Sequence, residues 1–213
     1  ENRRSRFYRP LNILLYKFGR TLSAVFSRLC FDLQVYGREH IPSTGSFIIA
    51  SNHRSNLDPV LLGVACNRII NFMAKEDLFK NRFFGSVLLG VGAFPIKRHS
   101  ADIAAIREAI KRLRQGFGLL IFPQGTREQR RGIDVQPGIG LLVSRAKVAI
   151  VPAFISGSEN ALPCGAKWFR CAKIRIAFGK PLFFVEEKSY PQIAHEVMRE
   201  INKLNPRISI AGE

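Results

Sequence analysis

The sequence predicts an α/β fold: a mixed, mostly parallel sheet flanked by helices, with an N-terminal amphipathic helical arm. Two patterns carry this expectation. Short β-rich apolar runs alternate with segments of helical periodicity along most of the chain, whereas the residues before 33 repeat apolar side chains at spacings of four and three. Composition bounds the class. Across 213 residues, 46% are hydrophobic, enough for a real core, which excludes disorder; no fixed-period repeat or glycine periodicity points to a solenoid or a collagen.

The arm comes first. Pro10 suits the first position of a helix. After it Leu11, Leu15, Phe18, Leu22, Val25 and Leu29 form one face, widened by Leu14 and Phe26. Arg9, Lys17, Arg20 and Arg28 flank that face, and no acidic residue lies between Asn2 and Phe31. Such a helix either lies in a bilayer interface, its cations among headgroups, or packs on the domain core; the unbroken positive charge favours the membrane. Arg9, Leu11, Leu15, Lys17, Phe18, Arg20, Leu22 and Phe26 are assigned to membrane binding, with the arm spanning 1–32 and the remaining domain 33–213. Lys17 and Arg20 interrupt the stretch and no small-residue cleavage site follows, so it is not read as a signal peptide. No uncharged apolar run reaches spanning length; the longest, 83–96, contains glycines.

Strands are expected at 46–50, 69–74, 93–96, 119–122, 149–155 and 173–178, and helices at 59–66, 79–89, 102–115, 139–146 and 191–204. In the helix at 102–115, Ile103, Ile106, Ile110 and Leu113 share a face, with Ser100 as the expected start cap and Gly116 the stop. The four cysteines, Cys30, Cys66, Cys164 and Cys171, form no CxxC pair and no His stands at zinc-ligand spacing, so no metal is expected and the thiols are read as buried in a reducing compartment.

The net charge of +17 implies an anionic partner: nucleic acid, an anionic membrane or a phosphorylated substrate. No helix-turn-helix, RNP or zinc-finger pattern supports nucleic acid. Ligands of open α/β sheets bind beyond the carboxyl ends of the strands. Reading just past four expected strands yields His53 and Asp58, then Lys75, then Lys97 and Arg98, then Gln124, Gly125, Thr126 and Arg127. One His, one carboxylate and several cations on one rim suit group transfer involving a phosphate-bearing substrate.

His53 and Asp58 stand five apart, about 140° around a regular helix, so their pairing needs a turn between them. A capping box with Ser55 as N-cap supplies one. Asp58 would then fix the His53 tautomer and leave the other ring nitrogen as a base; the same spacing also serves a plain helix cap beside a polar loop histidine. No Ser or Cys occupies a nucleophile elbow, so the base would act directly on an acceptor hydroxyl, which suits an activated donor such as a thioester. In the 123–125 turn, Gly125 permits close approach to an anion, Thr126 adds a donor and Arg127 offers a bidentate grip; a plain loop with a solvated Arg has the same composition.

Together these residues resemble the glycerolipid acyltransferase family, which includes the 1-acylglycerol-3-phosphate acyltransferases. Asn52, His53 and Asp58 match its N-H-x4-D motif, Gly92 to Arg98 its second motif, Phe122 to Arg127 its third, and Val151-Pro152 its fourth; Val35 to Pro42 is similar to its approach strand. The resemblance covers roughly 33–160. It implies acyl transfer from acyl-CoA or acyl-acyl carrier protein to the hydroxyl of lysophosphatidic acid, giving phosphatidic acid, at the cytoplasmic face of the membrane and with no cofactor. It implies His53 as general base, Asp58 as its support, and a phosphate site of Lys75, Lys97, Arg98, Gln124, Gly125, Thr126 and Arg127. Gln124 departs from the family's usual Glu and puts the acceptor in doubt. Another acceptor, glycerol 3-phosphate or a different lysolipid, and a non-catalytic protein of anionic membranes remain the alternatives.

Overall fold

The structure, a computed structural model, describes residues 13–97, 102–125, 137–166, 168–184 and 188–205. Seven strands form one sheet: β1 (Phe31–Tyr36), β2 (Phe47–Ser51), β3 (Ile70–Lys75), β4 (Ala93–Ile96), β5 (Gly118–Ile121), β6 (Ala149–Ser156) and β7 (Ala172–Phe178). Their order across it is β1-β7-β6-β2-β5-β3-β4. The five strands from β6 to β4 run parallel; β7 pairs antiparallel to β6, and β1 parallel to β7. The helices are α1 (Ile13–Cys30), α2 (Asp58–Ala65), α3 (Arg82–Gly90), α4 (Ile103–Arg114), α5 (Pro137–Ala146), α6 (Ser158–Ala161) and α7 (Tyr190–Asn202).

Parallel strands joined by helical crossovers are covered on both faces, which is why β2 reads Phe-Ile-Ile-Ala-Ser without polar alternation and is buried throughout. One face of the sheet, with Ile48, Ala50, Leu119 and Ile150, packs against α4, α5 and α7 through Ala109, Leu142, Val197 and Ile201. The other, with Phe47, Ile49, Leu120 and Val151, packs against Leu61, Leu62 and Ala65 of α2. Gly140 brings α5 against the backbone of Tyr190 in α7, where a Cβ would have no room.

The six strands expected from apolar runs are all present, with ends shifted by at most one residue. β1 and α6 lie outside that set, and of the approach stretch Val35 to Pro42 only Val35 and Tyr36 are strand, with a 3₁₀ turn at Arg38–His40. β1 was legible in Phe31-Asp32-Leu33-Gln34-Val35-Tyr36, an alternation of period two, but lay in the shadow of the arm's helical pattern. The one-turn α6 carries no periodic signal. The start cap of α4 is Asp102, whose side chain accepts from the Ala105 N–H at 3.2 Å, rather than the expected Ser100, which is outside the described residues. Gly116, at φ +85°, follows α4 as expected. Of the thiols only Cys66 is buried; Cys164 and Cys171 are exposed, against expectation.

Pro152 lies inside β6, on the side facing β7. Its carbonyl accepts from the Gly179 N–H at 2.8 Å, but it has no N–H to return. Pairing there shifts by one residue, from Ala153 opposite Phe178 to Ile150 opposite Leu182. The extra residue is a bulge on the β7 side, at the place where the proline cannot donate.

Arg112 of α4 is the main buried polar tie. It donates to Glu108 Oε1 at 2.8 Å, to the Gly92 carbonyl at 3.0 Å and to Asn71 Oδ1 in β3, and lies 4.7 Å from the Phe94 ring centroid. Removing the guanidinium strands a buried carboxylate, so Arg112→Ala is expected to cost about 3–5 kcal/mol, read from the midpoint of urea unfolding. An unchanged midpoint would refute this role.

Candidate active site

β2 lies in the interior of the sheet between β6 and β5, so the chain leaving it at Ser51 emerges in the middle of the carboxyl rim. Asn52 anchors that exit. Its side chain accepts from the Ile155 N–H and donates to the Ile155 carbonyl, both at 2.8 Å, adding a rung to the β2–β6 ladder after the backbone has turned away.

His53 follows, 8% exposed, with Nδ1 2.8 Å from Oδ2 of the fully buried Asp58. The same oxygen accepts from the backbone N–H groups of Arg54 at 2.6 Å and Ser55 at 2.8 Å. Three donors on one oxygen wrap residues 53–57 around a carboxylate that opens α2. With Asp58 as acceptor, Nδ1 is the ring nitrogen that donates; no described residue bonds Nε2. The ring stacks on Phe122, centroids 4.1 Å apart and planes 19° apart, which fixes its orientation.

The expected capping box is half right. Ser55 donates its N–H to Asp58, but its hydroxyl donates to the Leu162 carbonyl at 3.0 Å and does not cap α2. The loop is thereby tied to the segment after β6. Arg54 reinforces that tie through an ion pair with Glu159 in α6. Neither Glu159 nor Leu162 was singled out from the sequence, because a contact across more than a hundred residues leaves no local trace. Phe122 had only its position beside the Pro123-Gln124-Gly125 turn as a signal.

β5, the neighbour of β2, ends in that turn: the Gly125 N–H donates to the Phe122 carbonyl at 2.9 Å, and Gly125 adopts φ +66°. Gln124 is half-buried. With strands about 4.8 Å apart, Lys75 at the end of β3 stands roughly 10 Å along the rim from β2, and Lys97 after β4 roughly 15 Å. Lys75 is engaged with Asp77 at 2.6 Å, and Lys80 shares that carboxylate at 2.7 Å; the two ammonium groups hold the Asp77 carboxyl down at about 2. The exposed Lys97 donates its backbone N–H to Asp102 at 2.8 Å, the same carboxylate that caps α4. The structure thus brings His53, Asp58, Gln124 and Gly125 together, with Lys75 and Lys97 farther along. Arg98, Thr126 and Arg127 lie outside the described residues.

The arm is turned inside out relative to a core helix. Its buried residues are Tyr16 and Ser27, while Leu14 is 83%, Phe18 68% and Leu29 80% exposed. Leu22 is exposed too, and Leu15 and Phe26 are partly covered, at 37% each. The Tyr16 hydroxyl accepts from the Ile70 N–H at 3.2 Å, tying α1 to the start of β3. Arg9 and Leu11 lie outside the described residues. Among the described residues no helix is long and apolar enough to cross a membrane.

The acyltransferase family model matches residues 32–156. The chain is 32% identical to the 1-acyl-sn-glycerol-3-phosphate acyltransferase of Bacillus subtilis (strain 168), over 79% of this chain and 82% of that relative. It is 29% identical to the protein of the same name from Streptococcus pneumoniae, over 75% of this chain and 61% of the relative. The fold matches the crystal structure of the 1-acyl-sn-glycerophosphate (LPA) acyltransferase PlsC from Thermotoga maritima, with a TM-score of 0.69 and 26% identity over 90% of this chain and 78% of that one.

Asn52→Ala leaves the Ile155 N–H and carbonyl without partners in a buried place, which costs about 2–4 kcal/mol. Denaturant unfolding together with hydrogen exchange at Ile155 would measure it; undiminished protection of that amide would refute the anchoring role.

Proposed function

The chain belongs to the acyltransferase family, and from that membership we propose that it transfers a fatty acyl group from an acyl thioester to the free hydroxyl of lysophosphatidic acid, giving phosphatidic acid. The observation that carries the mechanism is the 2.8 Å contact between His53 Nδ1 and the buried Asp58 carboxylate at the centre of the carboxyl rim. His53 Nε2 takes the hydroxyl proton as the oxygen attacks the thioester carbonyl. Asp58 holds the tautomer before that step and opposes the imidazolium charge after it. When the tetrahedral intermediate collapses, the C–S bond breaks and the leaving thiolate recovers the proton from His53.

The phosphate of the acceptor is assigned to Arg98 and Arg127, with Lys97, Gln124, Gly125, Thr126 and Lys75 around it. Arginine suits this task because its planar fork matches two phosphate oxygens at once. Lys75 already neutralises Asp77, so its share is the smallest. The donor is acyl-CoA or acyl-acyl carrier protein, acting as co-substrate with no further cofactor. The outward apolar stripe of α1 and its flanking cations support a peripheral seat on an anionic membrane surface, at its cytoplasmic face. No part of the reading calls for nucleic acid.

Purified protein given a labelled acyl-CoA or acyl-acyl carrier protein and a panel of lysolipids plus glycerol 3-phosphate should acylate lysophosphatidic acid best. His53→Ala should lower kcat about 10²–10⁴-fold with little change in the KM for acceptor. Equal turnover by wild type and variant would sink the mechanism, and preference for another acceptor would correct the substrate. Separately, Phe18→Glu with Leu22→Glu should reduce vesicle partition at least about tenfold while leaving the circular dichroism unchanged, since both side chains point outward. Unaltered partition would refute the arm's role.

A further inference from the structure

Two adjoining open grooves of about 540 and 550 Å³ run along one flank of α1 and share as lining residues Ala24 and Arg28 of α1 and Val64 of α2. Lys17 and Arg20 line the first, and Arg38, from the 3₁₀ turn Arg38–His40 after β1, lines the second. Among the described residues no acidic side chain lines either groove. Among the described residues, none of these four cations has an ion pair or a hydrogen-bonding side-chain partner, although Arg20 is half-buried. The floor is apolar where Val64 of α2 meets Leu33 and Val35 of β1.

A partly covered guanidinium without a counter-charge, beside three more cations, selects for an anion. An apolar floor beneath the cations selects for one that carries a hydrocarbon stem. One lip of the cleft is α1 itself, whose exposed stripe of Phe18, Leu22 and Leu29 lies next to the cationic flank. With that stripe among acyl chains, the cleft opens at headgroup depth. We propose that the cleft between α1, α2 and β1 is a binding site for the phosphate of an anionic glycerophospholipid, held by Lys17, Arg20, Arg28 and Arg38 and separate from the catalytic rim. It rests on the membrane seat proposed for α1. The site makes residence on the membrane depend on recognising one headgroup rather than on diffuse charge alone.

Arg38 is the informative position because it lies off α1, and replacing it leaves the helix stripe intact. The full chain is tested for partition into vesicles of phosphatidylcholine alone and of phosphatidylcholine with phosphatidylglycerol. Arg38→Gln is expected to lose about five- to tenfold on the anionic vesicles, the worth of a charge-assisted contact, and nothing on the neutral ones. Arg38→Lys should recover little of it, since an ammonium does not reproduce the fork. Full rescue by Arg38→Lys would reduce the cleft to surface charge and overturn the proposal. Equal binding by wild type and Arg38→Gln would overturn the cleft and leave the arm's seat standing. If inorganic phosphate raised the Tm of wild type but not of Arg38→Gln while vesicle binding stayed equal, the ligand would be a free anion and the lipid assignment would fall. Wild type binding to neither vesicle would overturn the membrane seat itself, and the cleft with it.

Discussion

A carboxylate removed from water dictates the form of the site. Asp58 has no exposure, and a buried carboxylate needs donors; all of its donors meet Oδ2, while Oδ1 has none among the described residues. Two of its donors are consecutive backbone N–H groups, available only if residues 53–57 curl tightly, and the third is the His53 ring. The loop's shape, the histidine's tautomer and the start of α2 are therefore one solution to one desolvation problem. The loop is held from outside as well. Asn52 ties it to β6, Ser55 to Leu162 and Arg54 to Glu159, so the segment following β6 acts as a buttress for the end of β2. A histidine held this way gains in orientation what it loses in freedom, which is the condition that positioned proton transfer requires.

The arm obeys a different constraint. An amphipathic helix usually turns its apolar face inward, yet α1 buries a tyrosine and a serine and presents leucine and phenylalanine to the outside. Its attachment joins one directed bond to apolar contacts: the Tyr16 hydroxyl accepts an amide hydrogen from β3, burial raises the pKa of that phenol, and the Phe26 ring meets Phe31 and Phe169 edge-on. Leu14, Phe18, Leu22 and Leu29 of the helix stay exposed, with the cation-lined cleft along one flank. The positive charge of the protein thus includes Lys75 and Lys97 on the carboxyl rim and Lys17, Arg20 and Arg28 along one flank of α1.

How much of this the sequence disclosed depended on the range of the signal. Strands β2, β5 and β6 announce themselves because both of their faces are buried and their apolar runs are almost unbroken; β3 is legible from a shorter apolar run although only its start is buried. The rim residues could be named in advance because they immediately follow those strands. The His53–Asp58 pairing was legible through its spacing, although the hydroxyl of Ser55 went elsewhere. β1 was hidden by following directly on the arm's helical pattern, which ends at Leu29. The partners Glu159, Leu162 and Ile155 were not legible, since each meets the loop only after the chain has crossed the sheet. The inside-out setting of α1 could not be read from periodicity either, which reports that a stripe exists but not which way it faces.

Pro152 acts beyond its local bulge. A strand whose backbone alternates evenly can slide along its neighbour by two residues and still satisfy its ladder, with every side chain on the correct face. β6 cannot slide freely against β7, because a two-residue displacement would bring the proline opposite a carbonyl that expects a hydrogen, and would press its ring on a residue other than Gly179. The proline is in effect a register stop for the antiparallel half of the sheet. Since β7 also carries β1, and β1 leads directly out of α1, this imino acid sets the alignment to which the edge of the molecule bearing α1 is hung.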